Sequence, residues 1–267
     1  MHPDLVDLGF LHLKTYGACM AVGFLLCWTL VEKLSGRKDL SNFVLSLMLG
    51  GVVGSRLAYV IEHWRAEFAA HPLEVIRLDR GGLMFYGGLI LSVLVFFAWC
   101  VAKRERPLAL ADLFCTVIPL GHACGRIGCF FYGCCYAKLS DAACAVRFPF
   151  RSPAWYEQFH AGLIDAHAPT ALPVLPTQLF EAAALLVLFA VLLALYLKFR
   201  RGTAGAYFIG YALIRFFLEY LRGDPRAAVL GLSISQAISL GMLLLGGAFL
   251  WVSFRRPAPQ PDGEPRP

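Results

Sequence analysis

The stretch LIRFFLEYLRG, residues 213–223, places three charged side chains within an apolar segment. Arg215, Glu219 and Arg222 are spaced i, i+4 and i+7, so a helix presents them on one face. Insertion scales put the cost of one charged side chain at the centre of a bilayer at about 2.5–3.5 kcal/mol. A membrane helix with three of them needs a polar cavity. The stretch therefore predicts a membrane helix that faces a site for a charged substrate or ion.

The composition of the whole chain is that of a membrane protein. Of the 267 residues, 58% are hydrophobic and 16% are charged, whereas about 25% of residues in soluble domains are charged. The mean hydropathy is +0.64. The basic residues behind the net charge of +6 lie in short clusters between apolar segments, so they indicate membrane topology and no nucleic-acid partner. We therefore expect an all-α polytopic membrane protein.

Seven apolar segments approach the length of about 20 residues that a helix needs to cross a bilayer. The first residues, MHPDLVDLGF, lack the basic start of a cleavable signal peptide, so we expect the first segment to remain as a span. Pro119 and several glycines interrupt the fourth segment. The predicted spans cover residues 16–34, 41–61, 83–102, 110–132, 178–199, 204–222 and 232–254.

Basic clusters predict the orientation of these spans, because cytoplasmic loops are enriched in lysine and arginine. If the spans alternate in direction, four clusters fall on one side, with the N-terminus outside and the C-terminus in the cytoplasm. We expect one transmembrane domain over residues 1–254, with an outer loop at about 136–175, and a disordered, proline-rich cytoplasmic tail over residues 255–267. The clusters are Lys33, Arg37 and Lys38; Lys103, Arg104 and Arg106; Lys198, Arg200 and Arg201; and Arg255 and Arg256.

Ionisable residues inside the spans concentrate toward the predicted outer side. Four arginines accompany two glutamates, and this excess of positive charge suits an anionic head group, whose phosphate oxygens match the planar guanidinium fork. Such residues are usually functional, although a glutamate paired with an arginine can also serve only to hold helices together. The residues are Arg56, Arg126, Glu181, Arg215, Glu219 and Arg222.

Glycine-rich segments accompany these charges. The segments GGVVG, GGLMFYGGL and GRIGCFFYG allow helices to approach closely or the backbone to turn. Beside Tyr86 and Arg126, they indicate irregular backbone that lines a cavity. Gly87 and Gly88 are therefore candidate substrate-binding positions.

Five of the nine cysteines crowd into residues 124–144. Structural disulfides at an oxidising outer face and functional thiols are both compatible with this pattern. No metal site is expected, because the spacing is not CxxC and no pair of histidines follows at ligand distance. The histidines, including His122, are interpreted as polar residues rather than bases. The clustered cysteines are Cys124, Cys129, Cys134, Cys135 and Cys144.

Six ordered motifs, from about residue 10 to 255, resemble those of the bacterial prolipoprotein diacylglyceryl transferases. GRIGCFFYGCCYAK is similar to the family signature GRxGNFxNxExxG, LPTQLFEA to HPxQLYE, and LIRFFLEYLRGDP to RFxxEFxR. GGLMFYGGLI is similar to GGxxxHGGL. LHLKTYGACMAVGF and GSRLAYV resemble the first-span tyrosine–glycine and second-span glycine–arginine segments.

The resemblance implies transfer of a diacylglyceryl group from phosphatidylglycerol to the lipobox cysteine thiol of prolipoproteins, at the outer face of the bacterial inner membrane. A thioether forms and glycerol phosphate leaves. The implied partners are phosphatidylglycerol, the prolipoprotein signal peptide and membrane lipid, without a cofactor. The resemblance implies that Tyr16, Arg126, Arg215 and Glu219 are catalytic and that Gln178, Glu181 and Arg222 line or brace the substrate cavity. Tyr86 is a further catalytic candidate, and Arg56, Gly87 and Gly88 are further substrate-binding candidates.

The chain departs from this family pattern at its acid–base residues. Tyr86 stands where the family has a histidine, and Cys129 and Cys134 stand where the signature has asparagine and glutamate. Tyr86 and Tyr16 are candidate bases if nearby arginines stabilise their phenolates. Otherwise the field of Arg126 and its neighbours favours the substrate thiolate directly.

These departures leave alternatives open. Ala137 replaces the closing glycine of the signature, and Leu175 replaces the histidine before PxQLYE. One alternative is a divergent member that acts on another lipid-linked group, or that uses Cys129, Cys134 or Cys135 as an acceptor or relay. Another is a membrane carrier or a thiol redox protein.

Overall fold

A computed structural model of the chain describes residues 4–7, 12–69, 71–77, 82–222, 228–229 and 232–255, with residues 4–7, 12–14 and 228–229 described by their backbone alone. Most of the predicted tail, from residue 256 onward, lies outside these residues, as does the sequence GDPR at 223–226. The chain divides into two compact units, residues 1–31 with 111–267, and residues 32–110.

The described residues form eight α-helices and two short antiparallel hairpins. The hairpins pair β1 (Asp4–Asp7) with β2 (His12–Lys14), and β3 (Ala228–Val229) with β4 (Leu232–Ser233). A π-helical turn, Trp64–Phe68, extends the second helix, and a 3₁₀ turn follows at Pro72–Ile76. The helices are α1 Thr15–Ser35, α2 Leu40–His63, α3 Phe85–Lys103, α4 Pro107–Tyr132, α5 Pro153–His160, α6 Thr177–Phe199, α7 Thr203–Glu219 and α8 Ile234–Arg255.

Six helices in the described part of the chain are long and apolar enough to cross a membrane: α1, α2 with its π-helical turn, α3, α4, α6 and α8. This confirms an all-α polytopic membrane protein. The fourth predicted span is one continuous helix through Pro119. The sixth predicted span corresponds to α7, which has 17 residues, about 26 Å at 1.5 Å per residue and so slightly shorter than the bilayer core.

Close helix contacts organise the first unit. A Cβ atom on Gly246 of α8 would lie 2.8 Å from the carbonyl oxygen of Gly205 on α7, so these two backbones touch. At the start of α7, the buried Asp112 of α4 accepts a 2.7 Å hydrogen bond from the amide of Ala204, and its carbonyl accepts one of 2.7 Å from the Thr203 hydroxyl. These bonds fix the start of α7 against α4.

The segment between α4 and α6, predicted as an outer loop, has an apolar core of its own. Phe148, Trp155 and Val174 are buried there. Val174 forms isolated β-bridges with Leu139 and Val146. The Ser152 hydroxyl caps α5 by accepting a 3.2 Å hydrogen bond from the Trp155 amide. The loop is thus a small folded layer, which its sequence did not indicate.

The second unit is built on contact between α2 and α3. A Cβ atom on Gly54 would lie 2.4 Å from the carbonyl oxygen of Gly87, and one on Gly88 would lie 2.6 Å from that of Gly51. Gly87 and Gly88 therefore allow these two helices to touch. Their predicted role in substrate binding stays a prediction.

Candidate active site

A buried ion pair joins α4 to α6 in the first unit. The Nη2 atom of Arg126 lies 3.0 Å from Oε1 of Glu181, and the two side chains are 16% and 4% exposed. The same carboxylate oxygen lies 3.7 Å from Nε2 of His122, one helical turn before Arg126. Two basic side chains predicted to lie at membrane depth, Arg126 and His122, therefore meet around the Glu181 carboxylate.

Helix α7 adds a tyrosine and a second arginine to this group. The ring of Tyr211 lies 5.2 Å from that of His122. Arg215 follows one turn later. Because Arg215 follows Tyr211 by four residues, the two side chains lie on the same face of α7. The two arginines therefore face the same cluster.

Arg215 is held by partners on two helices. Its Nη2 atom lies 3.2 Å from Oε2 of Glu219, in an i, i+4 pair with both side chains mostly buried. The same nitrogen donates a 3.3 Å hydrogen bond to the hydroxyl of Ser235 on α8. The sequence-based pairing of Glu219 with an arginine is thus seen for Arg215.

Arg126 retains a hydrogen-bond donor beyond its ion pair. Its Nε atom is buried and has no hydrogen-bond partner among the described residues. A buried donor without a partner costs free energy, and phosphate oxygens are strong acceptors for a guanidinium fork. Such a donor suits an anionic ligand.

A sharp turn brings three cysteines together after α4. Gly133 and Cys135 have positive φ angles of 84° and 62°, and the Cys129 carbonyl accepts hydrogen bonds of 2.9 and 3.2 Å from the amides of Gly133 and Cys134. The Sγ atoms of Cys129, Cys134 and Cys135 lie within 4.8 Å of one another. All nine cysteines are free thiols. This three-cysteine cluster is also a set of potential metal ligands.

The start of α6 holds this turn in place. The side-chain amide of Gln178 donates a 2.6 Å hydrogen bond to the Cys134 carbonyl, and the Thr177 hydroxyl donates one of 3.0 Å to the Cys135 carbonyl. Gln178 is 1% exposed. The motif LPTQLFEA therefore braces the cysteine turn with its first residues and pairs with Arg126 through Glu181.

The environment of the cluster separates the acidities of its thiols. The pKa of Cys135 is lowered, because Cys129 and Cys134 donate hydrogen bonds to its thiolate and the guanidinium groups of Arg126 and Arg222 stabilise the charge. The pKa of Cys134 is raised, because its proton is held by hydrogen bonds to Cys129 and Cys135. The cluster therefore favours negative charge at Cys135 first.

A cleft of about 510 Å³ opens beside the cluster. Cys135 and Arg222 line it, together with Lys138 and residues of the folded layer between α4 and α6 such as Glu157 and Leu163. Its wall includes two cationic side chains and one carboxylate. The cleft gives Cys135 access to a ligand from outside the helices.

The other predicted site residues have different surroundings. Tyr16, 41% exposed, lies beside the cysteine-bearing helix, since its Cδ2 atom is 3.0 Å from where a Cβ on Gly128 would be. Tyr86 is 61% exposed, in the second unit. There Arg56 donates hydrogen bonds of 2.9 and 2.8 Å to the carbonyls of Val75 and Glu74, which ties down the segment after α2.

Two members of the cluster, His122 and Tyr211, were not predicted as site residues. The signal that reveals them is helical spacing, because each precedes a site arginine, Arg126 or Arg215, by four residues and so shares its face. A polar residue one turn before an intramembrane charge is therefore a candidate for the same site.

Comparison with known proteins gives a consistent match. A family model described as prolipoprotein diacylglyceryl transferase matches residues 3–252. A phosphatidylglycerol–prolipoprotein diacylglyceryl transferase of Bordetella bronchiseptica is 32% identical, with 96% of this chain and 97% of the relative covered. Those of Verminephrobacter eiseniae and Clostridium perfringens, the latter designated transferase 2, are 34% and 30% identical, with 83% and 90% of this chain and 77% and 91% of the relatives covered.

Proposed function

The chain belongs to the prolipoprotein diacylglyceryl transferase family, and on this premise we propose that it transfers a diacylglyceryl group from phosphatidylglycerol to the lipobox cysteine thiol of prolipoproteins. The reaction forms a C–S bond at the glyceryl carbon and breaks its C–O bond to the phosphate. Glycerol phosphate leaves with the electron pair. The acceptor thiol loses its proton.

The observation that supports this proposal most is the shared cluster of Arg126 and Arg215. His122 and Tyr211, whose rings are 5.2 Å apart, each lie one helical turn before one of these arginines. A phosphate that enters this cluster meets two guanidinium groups in a water-poor setting, where electrostatic stabilisation is strong. The arginines bind the head group and stabilise the charge that develops on the leaving phosphate.

Two glutamates hold the arginines in position. Glu181 pairs with Arg126 at 3.0 Å, and Glu219 pairs with Arg215 at 3.2 Å. Each carboxylate fixes one side of its guanidinium group and leaves the other donors for the lipid. Arg222 adds positive charge at the cleft. We propose that the acceptor peptide enters through this cleft.

We place this reaction at the outer face of the bacterial inner membrane, in a domain of seven spans. Four basic clusters support a cytoplasmic C-terminus and tail and an outer N-terminus. In this topology α7 is the short span, and the folded layer between α4 and α6 lies on the outer side with the cleft.

The cysteines in the signature raise one alternative mechanism, in which a cysteine of the enzyme accepts the diacylglyceryl group itself. The resulting thioether is stable, because its thiolate is a poor leaving group. Transfer onward from Cys135 would then stall. Intact-protein mass after turnover distinguishes a bare chain, which we expect, from one with a diacylglyceryl adduct.

The test of function is rescue of a strain depleted of its own transferase. We expect the chain to restore lipoprotein acylation, read as the diacylglyceryl mass on the mature N-terminal cysteine. Isotope-labelled phosphatidylglycerol and phosphatidylethanolamine supplied to membranes identify the donor. Failure to acylate in either setting, with the protein present in the membrane, would falsify the proposal. Transfer from phosphatidylethanolamine alone favours action on another lipid-linked substrate.

A further inference from the structure

The three-cysteine cluster has the dimensions of a thiolate metal site. Tetrahedral zinc with Zn–S bonds of about 2.3 Å separates its sulfur ligands by about 3.8 Å. The Sγ atoms of Cys129, Cys134 and Cys135 lie within 4.8 Å of one another. Side-chain rotations that shift the sulfur atoms by less than about 1 Å therefore bring all three sulfurs within bonding distance of one ion.

The backbone of the cluster is already fixed. Gln178 and Thr177 hold the carbonyls of Cys134 and Cys135, and the Cys129 carbonyl receives the amides that close the turn. A rigid backbone lowers the entropy lost when ligands converge on an ion. The cluster is thus prepared for a ligand that three sulfurs share.

The cluster supplies three ligands and leaves a fourth position open. No histidine or carboxylate joins the three sulfurs among the described residues. Cys135 also lines the cleft of about 510 Å³, from which a fourth ligand reaches the centre. Three protein ligands with an open position are typical of catalytic zinc, whereas structural zinc has four.

We propose that Cys129, Cys134 and Cys135 bind one zinc-class divalent ion, and that the acceptor cysteine of the substrate binds as its fourth thiolate. The inference rests on the proposed function for the identity of that fourth ligand. It also revises the expectation of no metal, which considered only CxxC spacing and histidine pairs.

The metal activates the acceptor thiol without a protein base. A free thiol has a pKa near 8.5, and coordination to a divalent ion deprotonates it outright, with the proton released to water in the cleft. A sulfur lone pair then forms the C–S bond to the glyceryl carbon while the C–O electron pair leaves with the phosphate. The metal remains divalent throughout.

The surrounding charges suit this arrangement. A divalent ion with three thiolates carries one negative charge, and the fourth thiolate makes it two. The guanidinium groups of Arg126 and Arg222 act electrostatically on Cys135, so they offset this negative charge. Arg126 also belongs to the group of ionisable residues, with Arg215, that is proposed to bind the lipid phosphate. Both reactants therefore lie near Arg126.

Metal binding is tested on the full-length protein purified in detergent. We expect about one zinc per chain, and after exchange with Co²⁺ an absorption spectrum with thiolate-to-cobalt charge-transfer bands. Cys134→Ser should weaken Co²⁺ binding at least tenfold. Cys144→Ser, an exposed cysteine of the same loop, should leave it unchanged. A chain without bound metal, or equal binding by both variants, overturns the site.

A thiol count separates the metal site from a disulfide. Denatured without reductant but with a chelator, the protein should show nine reactive thiols, the number in the sequence. Seven thiols, with Cys129, Cys134 or Cys135 missing from the labelled set, would identify a disulfide and overturn the site.

The role of the metal is tested with a lipobox peptide. The peptide should intensify the thiolate-to-cobalt bands by adding a fourth thiolate, and its Cys→Ser analogue should not. Removal of the metal should lower transfer at least tenfold, and zinc should restore it. Full transfer by the metal-free enzyme overturns the inference while the proposed function stands. Stoichiometric metal without any transfer overturns the proposed function and the activation role, while the metal site stands.

Discussion

Nη2 of Arg126 and Oε1 of Glu181 are 3.0 Å apart, between two helices and away from solvent. An ion pair of this kind is costly to break, because removal of one partner leaves an uncompensated buried charge. Arg126 has a buried Nε donor beyond this pair. The ion pair therefore holds α4 and α6 together and also positions Arg126 to bind an anion.

Replacing Glu181 tests the structural half of this relationship. Glu181→Gln leaves Arg126 buried without a counter-charge, so we expect a loss of about 3–5 kcal/mol in the free energy of unfolding. Thermal unfolding in detergent measures it. The matched control is Glu62→Gln at an exposed position, for which we expect less than about 0.5 kcal/mol. Equal effects of the two substitutions argue against a buried pair.

Replacing Gln178 tests the brace on the cysteine turn. Gln178→Met keeps the length of the side chain but removes the hydrogen-bond donor to the Cys134 carbonyl. Because a buried acceptor is left without a partner, we expect the free energy of unfolding to fall by about 1–3 kcal/mol. We expect faster alkylation of Cys135 in the metal-free protein, because the turn loosens. Gln236→Met, which loses the bond from the Ser233 amide instead, should leave that rate unchanged. An unchanged rate in Gln178→Met contradicts the brace.

Asp112 is expected to control the position of α7. Asp112→Ala removes the carboxylate that accepts the Ala204 amide at 2.7 Å, which costs about 1–3 kcal/mol for a buried donor left unpaired. Because α7 carries Arg215, we also expect transfer to fall by about tenfold. Asp141→Ala, at an exposed position in the folded layer between α4 and α6, is the control. Wild-type stability in Asp112→Ala contradicts this role.

Adjacent glycines on α8 give a matched pair for helix contact. A Cβ on Gly246 meets Ile209 at 2.7 Å and the Gly205 carbonyl at 2.8 Å, whereas a Cβ on Gly247 meets nothing within 4 Å. We expect Gly246→Ala to lower the free energy of unfolding by about 1–3 kcal/mol. Gly247→Ala should be neutral or raise it by up to about 1 kcal/mol. The reverse order of stability contradicts the α7–α8 contact.

The exposed Cys144 tests the proposed orientation. A membrane-impermeant maleimide applied to spheroplasts should label Cys144 before lysis, because its loop is proposed to lie outside. Cys144→Ser should remove this label. Labelling of Cys144 only after lysis would place its loop on the cytoplasmic side and contradict the proposed orientation.

The sequence was most informative where periodicity or hydropathy decides the structure. The fifth predicted span, 178–199, agrees with α6 at Thr177–Phe199, because an apolar run of that length has few other structures available in a bilayer. Pro119 did not interrupt α4, although a proline removes one backbone hydrogen bond. Neighbouring helices compensate for this loss inside membranes.

Long-range contacts limited the prediction of the site. The pairing of Glu181 with Arg126 depends on how α4 and α6 meet, which spacing within each segment does not determine. The convergence of Cys129 with Cys134 and Cys135 needs left-handed backbone at Gly133 and at Cys135 itself, and a non-glycine residue there is uncommon. Single-sequence patterns give no signal for it.

The most direct measurement of the central claim is the initial rate of diacylglyceryl transfer from labelled phosphatidylglycerol to a lipobox peptide by purified variants. We predict that Arg126→Ala and Arg215→Ala each lose at least a hundredfold, with Lys at either position restoring only part of the rate because it lacks the guanidinium fork. Arg147→Ala, at an exposed loop arginine, should retain the wild-type rate. Folded Arg126→Ala and Arg215→Ala enzymes with rates equal to that of Arg147→Ala would contradict the account.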